Sequence, residues 1–124
     1  MLETGIKNEI TITVTEKDTA IVHGSGSLPV FATPAMIALM EHAAMKAVAP
    51  FLPDGSTTVG CMIESTHLAP SYLGAEVSAT ALLERVEGRK LHFNVVANEG
   101  EKILGMGTHT RVIVDVQKFM EKNR

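Results

Sequence analysis

Hydrophobic and polar residues alternate with a period of two near the start of the chain. The segment Glu9–Thr15 shows this alternation clearly, which predicts a half-buried strand. A second apolar stretch, Thr19–His23, follows the turn-like residues 16–18 and is interpreted as another strand. The loop after it, Gly24–Ser27, consists only of glycine and serine, so we expect flexible, exposed backbone there.

The pattern then changes to a long stretch that is apolar on nearly every side, residues 33–49. Thr33 followed by Pro34 predicts a helix start, with a capping hydroxyl and a proline at the first helical position. Pro50 and Pro53 place the helix end just before them. A helix without a polar face belongs inside a domain, so other elements must wrap around this one.

The remainder of the chain reads as strands joined by short turns, at residues 57–66, 75–86, 90–97 and 102–116. Gly105 and Gly107 in the last strand indicate a bulge or a close backbone approach. Residues 117–124 form a short polar tail with room for one helical turn. The predicted α+β fold is a single domain, residues 1–124, in which a curled antiparallel sheet surrounds one central helix. Apolar surface left over by this arrangement predicts a homodimer, with a higher oligomer as an alternative.

Composition narrows the classes of function. Apolar residues make up 45% of the chain and charged residues 20%, which is typical of globular proteins. A net charge of −3 without a cluster of basic residues argues against nucleic acid as a partner. No apolar run approaches the ~20 residues that span a bilayer, and the N-terminus lacks the apolar region of a secretory signal. The single Cys61 fits a reducing compartment, so we expect a cytoplasmic protein with no membrane partner.

Glu41 is the most informative residue, because it is a carboxylate in the middle of the apolar helix. A buried carboxylate must be partnered, protonated or functional, and such groups are candidates for acid–base or nucleophilic chemistry. An ion pair with Lys46 is a weak alternative, because residues five apart are poorly placed on a helix surface. A second alternative is that Glu41 caps an unpaired N–H of a strand.

Two further residues carry chemistry that fits Glu41. Thr33 lies at the positive end of the helix dipole, and His67 titrates near neutral pH. Taken alone, Thr33 is more simply a helix cap, His67 a loop histidine and Gly60 a bulge. Cys61 alternates with Val59 and is interpreted as a core residue. The histidines and the lone cysteine have no metal-ligand spacing, so no metal site is predicted.

Several motifs together resemble the fluoroacetyl-CoA thioesterase-like family of hotdog-fold enzymes. They are Val30-Phe-Ala-Thr33-Pro, Glu41 eight positions later, Val59-Gly60, Thr66-His67-Leu-Ala-Pro70 and Gly107-Thr-His109-Thr-Arg111. The resemblance implies a hotdog fold and hydrolysis of a short or small acyl-CoA thioester to free acid and CoA. It also implies Thr33, Glu41 and His67 as catalytic residues and Gly60 and Arg111 as substrate-binding residues. CoA would be part of the substrate, and no separate cofactor is implied.

One departure bears on specificity. The family member specialised for a fluorinated substrate has aromatic lid residues before the threonine, where this chain has Gly24–Ser27. The resemblance therefore implies thioester hydrolysis here without fluoroacetyl specificity.

Helix geometry adds a constraint on the site. Thr33 and Glu41 are ~12 Å apart along a regular helix, so either His67 and the substrate lie between them or two subunits share a site. The nucleophile can be Thr33, Glu41 or a water molecule, and the sequence does not choose among them. Nor does it decide whether CoA or a carrier protein carries the acyl group. A non-catalytic acyl-CoA binding or sensing module on the same fold is the alternative function. An acyl-CoA hydratase is a third reading, but the Asp–His pair it would need at the helix start is not visible.

Overall fold

The computed structural model describes residues 2–122, so expectations for residues 1, 123 and 124 lie outside it. The strands within this range are β1 (Lys7–Thr13), β2 (Ser56–Ser65), β3 (Glu76–Glu87), β4 (Lys90–Glu99) and β5 (Lys102–Asp115). The helices are α1 (Ala20–His23), α2 (Thr33–Val48) and α3 (Val116–Lys122), with single 3₁₀ turns at Glu16–Asp18 and Ala49–Phe51. The helical turn predicted within residues 117–124 is therefore the helix α3, which begins one residue before that range, at Val116.

The strands form one antiparallel sheet in the order β1-β3-β4-β5-β2. Hairpins join β3 to β4 and β4 to β5, as the short turns in the sequence predict. The sheet curls around α2, which contacts β1, β2, β3 and β4. A curled antiparallel sheet around one central helix is the architecture that the sequence predicts.

The core lies between the concave face of the sheet and α2. Small and flexible side chains on α2 allow the sheet to approach closely, and alternate residues of β3 and β4 point inward to meet them. These are Ala35, Met36, Leu39, Met40, Ala43, Ala44, Ala47 and Val48 from the helix and Val77, Ala79, Ala81, Leu83, Leu91, Phe93, Val95 and Ala97 from the sheet. No helix within residues 2–122 combines the length and hydropathy needed to cross a bilayer.

The second predicted strand is wrong, because Ala20–His23 forms the short helix α1. The Thr19 hydroxyl accepts a hydrogen bond from the backbone of Val22 at 3.5 Å and caps the turn. Gly24 then ends it in the left-handed region, at φ +70°. Four apolar-rich residues fit a single helical turn as well as a strand, and the flanking cap residues decide between the two.

Strand β2 is an edge strand with an irregularity at its centre. Its register against β5 shifts between Gly60 and Met62, so Cys61 is the extra residue of a bulge. Cys61 is exposed, and the predicted core position is wrong because the bulge breaks the alternation on which it relied. The bulge interpretation of the region around Gly60 is confirmed.

Glycines bring the end of β2 very close to β5. A side chain at Gly107 would overlap the carbonyl of Glu64, and one at Gly105 would overlap the carbonyl of Thr66. The close approach predicted for these two glycines is confirmed. The loop that follows β2 is thereby held against β5, where the backbone of Leu68 donates to the carbonyl of Leu104 at 2.6 Å.

Candidate active site

Thr33 is the first residue of α2, and the backbone of Ala32 precedes it in an extended conformation as the N-cap residue. No side chain caps this helix end, so the interpretation of Thr33 as a capping residue is wrong. Its hydroxyl instead lies 2.6 Å from Nδ1 of His67. Pro34 lacks a backbone N–H and leaves the first turn with one donor fewer, which makes a cap less necessary.

His67 reaches Thr33 from the loop that follows β2. Thr66 anchors this loop to β5, since its backbone and its hydroxyl both donate to the carbonyl of Met106, at 3.0 and 3.2 Å. Burial lowers the pKa of His67, against a smaller opposing effect of a hydrogen bond with the backbone of Ala69. The neutral ring is therefore favoured, and a neutral Nδ1 can accept the hydroxyl proton of Thr33.

The other ring nitrogen of His67 has no hydrogen-bond partner among residues 2–122, although it is buried. A buried polar atom without a partner is costly and often marks a place where a ligand or water binds. A shallow pocket of about 270 Å³ opens at this pair. Its lining is largely apolar and comprises Val30, Phe31, Thr33, His67, Leu68, Ala69 and Pro70.

Glu41 lies elsewhere on α2 and is only half-buried, which corrects the expectation of full burial. No ion pair joins it to Lys46 in the part of the chain that the structure describes. Its carboxylate faces Gly60, where an added Cβ would lie 3.3 Å from Oε2 of Glu41. The same Cβ would lie 3.1 Å from His109 and 3.4 Å from Arg111. A glycine at this position therefore lets all three side chains approach the backbone of β2 more closely than a larger residue would allow.

Arg111 is buried, and its guanidinium is held on several sides. Its Nε donates to the hydroxyl of Thr58 at 2.8 Å, and its Nη2 donates to the carbonyl of Thr58 at 2.9 Å. Burial lowers the pKa of Arg111, while the negative charge of Glu41 raises it. A guanidinium with so few open donors acts mainly by its fixed positive charge near Glu41.

His109 completes this cluster and was not singled out by sequence reasoning as a site residue. Its Nδ1 donates to the carbonyl of Met62 at 2.7 Å, so its Nε2 accepts from Nη1 of Arg111 at 3.1 Å. Burial lowers the pKa of His109, the Met62 hydrogen bond raises it, and the charge of Arg111 lowers it further. Its position two residues before Arg111 in a strand was a usable signal, because such residues share a face.

The predicted site residues thus form two groups in one chain. Thr33 and His67 form a hydrogen-bonded pair, and Glu41, Gly60 and Arg111 lie together. No hydrogen bond within residues 2–122 joins Glu41 to the pair, in keeping with the ~12 Å helical separation. Within the same residues, no group of three or more His, Cys, Asp and Glu is arranged to hold a metal ion.

Comparison with known proteins identifies the family. The profile of the family described as "Fluoroacetyl-CoA-specific thioesterase" matches residues 14–117. The curated fluoroacetyl-CoA thioesterase of Streptantibioticus cattleyicolor is 43% identical over 95 residues, which are 77% of this chain and 68% of that protein. This chain belongs to the fluoroacetyl-CoA thioesterase family.

Solved structures place the family's fold over almost the whole chain. The fluoroacetyl-CoA thioesterase FlK superposes with a TM-score of 0.91 at 35% identity, over 98% of this chain and 95% of that one. A thioesterase superfamily member from Thermus thermophilus superposes with a TM-score of 0.89 at 30% identity, over 97% of this chain and 89% of its own. These matches confirm the predicted family resemblance, the hotdog fold and the enzyme class, an acyl-CoA thioesterase.

Proposed function

We propose that the protein hydrolyses a short or small acyl-CoA thioester to the free acid and CoA, with Thr33, Glu41 and His67 as its catalytic residues. The hydrogen bond of 2.6 Å between Thr33 and His67 carries the proposal, because it joins a hydroxyl to a base beside a small apolar pocket. The pocket volume of about 270 Å³ suits a small acyl group.

The geometry supports His67 as the proton carrier. Its Nδ1 takes the proton of the Thr33 hydroxyl as the hydroxyl oxygen attacks the thioester carbonyl. The carbon–sulfur bond then breaks, the thiolate of CoA takes up the proton, and an acyl ester remains on Thr33. Water, deprotonated by the same imidazole, hydrolyses that ester and returns the free hydroxyl. These steps use only side chains and water, so the proposal includes no metal and no cofactor besides the CoA of the substrate.

The Gly60 region supplies the second part of the proposal. Gly60 is exposed on β2 and lies beside the positive charge of Arg111, so its backbone N–H suits the developing oxyanion of a thioester. Gly60 lies at the exposed edge of the sheet, on β2. We assign substrate binding to Gly60 and Arg111 on this ground, with Arg111 acting through its charge.

The exposed edge of the sheet also suggests how the two groups meet. Strand β2 has a free edge, with Cys61 and Met62 exposed on it. Pairing two such edges would extend the sheet, cover these side chains and bring Glu41 of the partner subunit toward Thr33 and His67. A homodimer with shared sites is therefore part of the proposal. The lone cysteine supports a reducing, cytoplasmic setting for it.

Release of free thiol from a panel of acyl-CoA thioesters tests the activity directly. We expect turnover well above the uncatalysed rate for small acyl groups and a decline as the chain outgrows the pocket. Background rates across the whole panel would contradict the proposal and favour a non-catalytic acyl-CoA binding module.

Mixing two inactive variants, Thr33→Ala and Glu41→Gln, tests the shared site. If the groups act from opposite chains, a mixed dimer contains one intact site and activity returns to a sizeable fraction of wild type. Tagged subunits would confirm that exchange has taken place. No recovery after confirmed exchange, or a monomer in solution, would reject the shared site while leaving the hydrolysis itself to the panel experiment.

A further inference from the structure

The loop that carries His67 is held to β5 at its start by main-chain hydrogen bonds. The backbone N–H of Thr66 donates to the carbonyl of Met106 at 3.0 Å, and that of Leu68 donates to the carbonyl of Leu104 at 2.6 Å. Each step of two residues along the loop is thus matched by a step of two residues back along β5. The first half of the loop therefore follows β5 closely.

The same spacing leads next to a proline. It places Pro70 beside Lys102, and a proline has no backbone N–H to donate. The side chain of Lys102 makes the connection instead, because its Nζ donates to the carbonyl of Pro70 at 2.8 Å. A hydrogen bond from a charged donor is stronger than one from a neutral donor. The second half of the loop is therefore tied to β5 by a side chain, which a substitution can remove.

Glu99, the last residue of β4, takes part in the same contact. Its Oε1 lies 3.3 Å from Nζ of Lys102 and accepts a hydrogen bond of 2.8 Å from the hydroxyl of Ser71. The hydrogen bond from Ser71 and then that from Lys102 lower the pKa of Glu99, so its carboxylate stays charged near neutral pH. Ser71 is fully buried, and Glu99 therefore gives its hydroxyl the partner that water cannot supply.

Ser71 connects this contact to both members of the Thr33–His67 pair. Its carbonyl accepts a hydrogen bond of 2.9 Å from the backbone N–H of Phe31, two residues before Thr33. Along the loop it follows His67 by four residues, and the residues between them line the pocket. Ser71 therefore links the segment that carries the hydroxyl to the loop that carries the base.

We propose that Glu99 and Lys102 are positioning residues for the Thr33–His67 pair and that they act through Ser71 and Pro70. They hold the loop against the start of α2, so the hydroxyl and the imidazole stay within hydrogen-bond distance. This inference rests on the proposed function, in which that pair carries out the reaction. The side chains of Glu99 and Lys102 are 34% and 44% exposed, so their ion pair adds little to the stability of the fold.

Two variants test the proposal by different routes. Lys102→Met removes the donor and the charge but keeps an unbranched side chain, and Ser71→Ala breaks the contact with Glu99 without changing the net charge. Lys102→Arg keeps a charged donor. Lys7→Met is the matched control, because Lys7 is exposed on β1, at an edge of the sheet. The measurements are kcat and KM for acetyl-CoA, the melting temperature, and the pKa of His67 by NMR titration.

We expect Lys102→Met and Ser71→Ala to lower kcat about ten- to hundredfold, because a hydroxyl and a base that move apart lose reactivity. KM should change less than about threefold, since the pocket remains. Lys102→Arg should recover most of the rate, and Lys7→Met should match the wild type. A rise in KM alone, as lost attraction of an anionic substrate would cause, overturns the proposal. Equal losses in Lys102→Met and Lys7→Met, or a rate loss that follows a large fall in melting temperature, also overturn it.

A failure of the proposed function is recognised separately, because the wild type would then hydrolyse no acyl-CoA thioester. The NMR titration decides the inference in that case, since burial lowers the pKa of His67. A loosened loop exposes the imidazole, so the pKa of His67 should rise toward its ordinary value in both test variants and stay unchanged in Lys7→Met. A rise in Lys102→Met without one in Ser71→Ala would reflect only the lost charge and would refute the proposal, as would an unchanged pKa in both.

Discussion

The two polar clusters of the candidate site each contain a histidine beside a hydroxyl-bearing or cationic partner, and they differ in how many of their polar atoms are hydrogen-bonded. His109 is buried, and both of its ring nitrogens have partners, the carbonyl of Met62 and the guanidinium of Arg111. His67 is half-buried; its Nδ1 is hydrogen-bonded to Thr33, while its Nε2 has no partner among residues 2–122. Both ring nitrogens of His109 are therefore hydrogen-bonded, whereas one ring nitrogen of His67 has no partner among residues 2–122.

This difference separates support from chemistry. A saturated network has little freedom to exchange protons, but it holds Arg111 beside Gly60 and Glu41 with small positional error. The open pair can change its hydrogen bonds during a reaction, because Nε2 of His67 has no hydrogen-bond partner among residues 2–122. Burial lowers the pKa of both histidines, so the pKa alone would not tell these roles apart. The hydrogen bonds of the two ring nitrogens do distinguish the roles of His67 and His109.

The largest expected effect is on the open pair. His67→Ala removes the proton carrier, so we expect kcat to fall roughly 10²–10⁴-fold with little change in the melting temperature. His92→Ala is the control, because His92 lies on the opposite face of the sheet, bonded to Glu87 and Thr110. A rate close to wild type in His67→Ala would reject His67 as the base.

The pH profile sharpens the same prediction. A base must be unprotonated, and the pKa of His67 is lowered, so activity should persist below the usual titration range of histidine. The rate then falls on the acid side as pH drops through that lowered pKa. An acid limb at or above the usual value would show that another group controls the reaction.

Substitutions in the cluster of His109 and Arg111 should lower the stability of the fold. Arg111→Gln leaves the Thr58 carbonyl and Nε2 of His109 without their donor, so we expect a loss of about 2–4 kcal/mol in the free energy of unfolding. Arg85→Gln is the control, because Arg85 is 61% exposed and its surface ion pair contributes only about 0–1 kcal/mol. Denaturant unfolding measures both. Equal losses in the two variants would remove the distinction between the clusters.

The smallest expected effect concerns fluorine. The Gly24–Ser27 loop before Thr33 is exposed and has no aromatic side chain to close over the pocket. We therefore expect kcat/KM for fluoroacetyl-CoA and acetyl-CoA to agree within about tenfold, after correction for the greater intrinsic reactivity of the fluorinated ester. A preference of several orders of magnitude would show that other residues recognise the substituent.

Sequence reasoning succeeded where a pattern was long or chemically unusual. The apolar helix and the β3–β4–β5 hairpins follow from such signals, whereas only the family resemblance grouped Thr33 with His67. It failed where a few residues decided the outcome. Four residues at Ala20–His23 could form a helix or a strand, and the bulge at Cys61 exposed a residue that alternation placed inside. The contact of Arg111 with Thr58 could not be predicted, because Thr58 lies 53 residues away along the chain.

The two glycines of β5 have a consequence for how this protein can vary. Gly105 and Gly107 let the chain after β2 lie directly on β5, so main-chain contacts set the path of the loop that carries His67. The pocket-lining side chains, such as those of Val30 and Leu68, are not part of these main-chain contacts. Substitutions can therefore reshape the pocket for a different acyl group while the imidazole stays where it is. In evolutionary terms, specificity and reactivity can therefore change separately in this protein. The absence of side chains at Gly105 and Gly107 makes this possible.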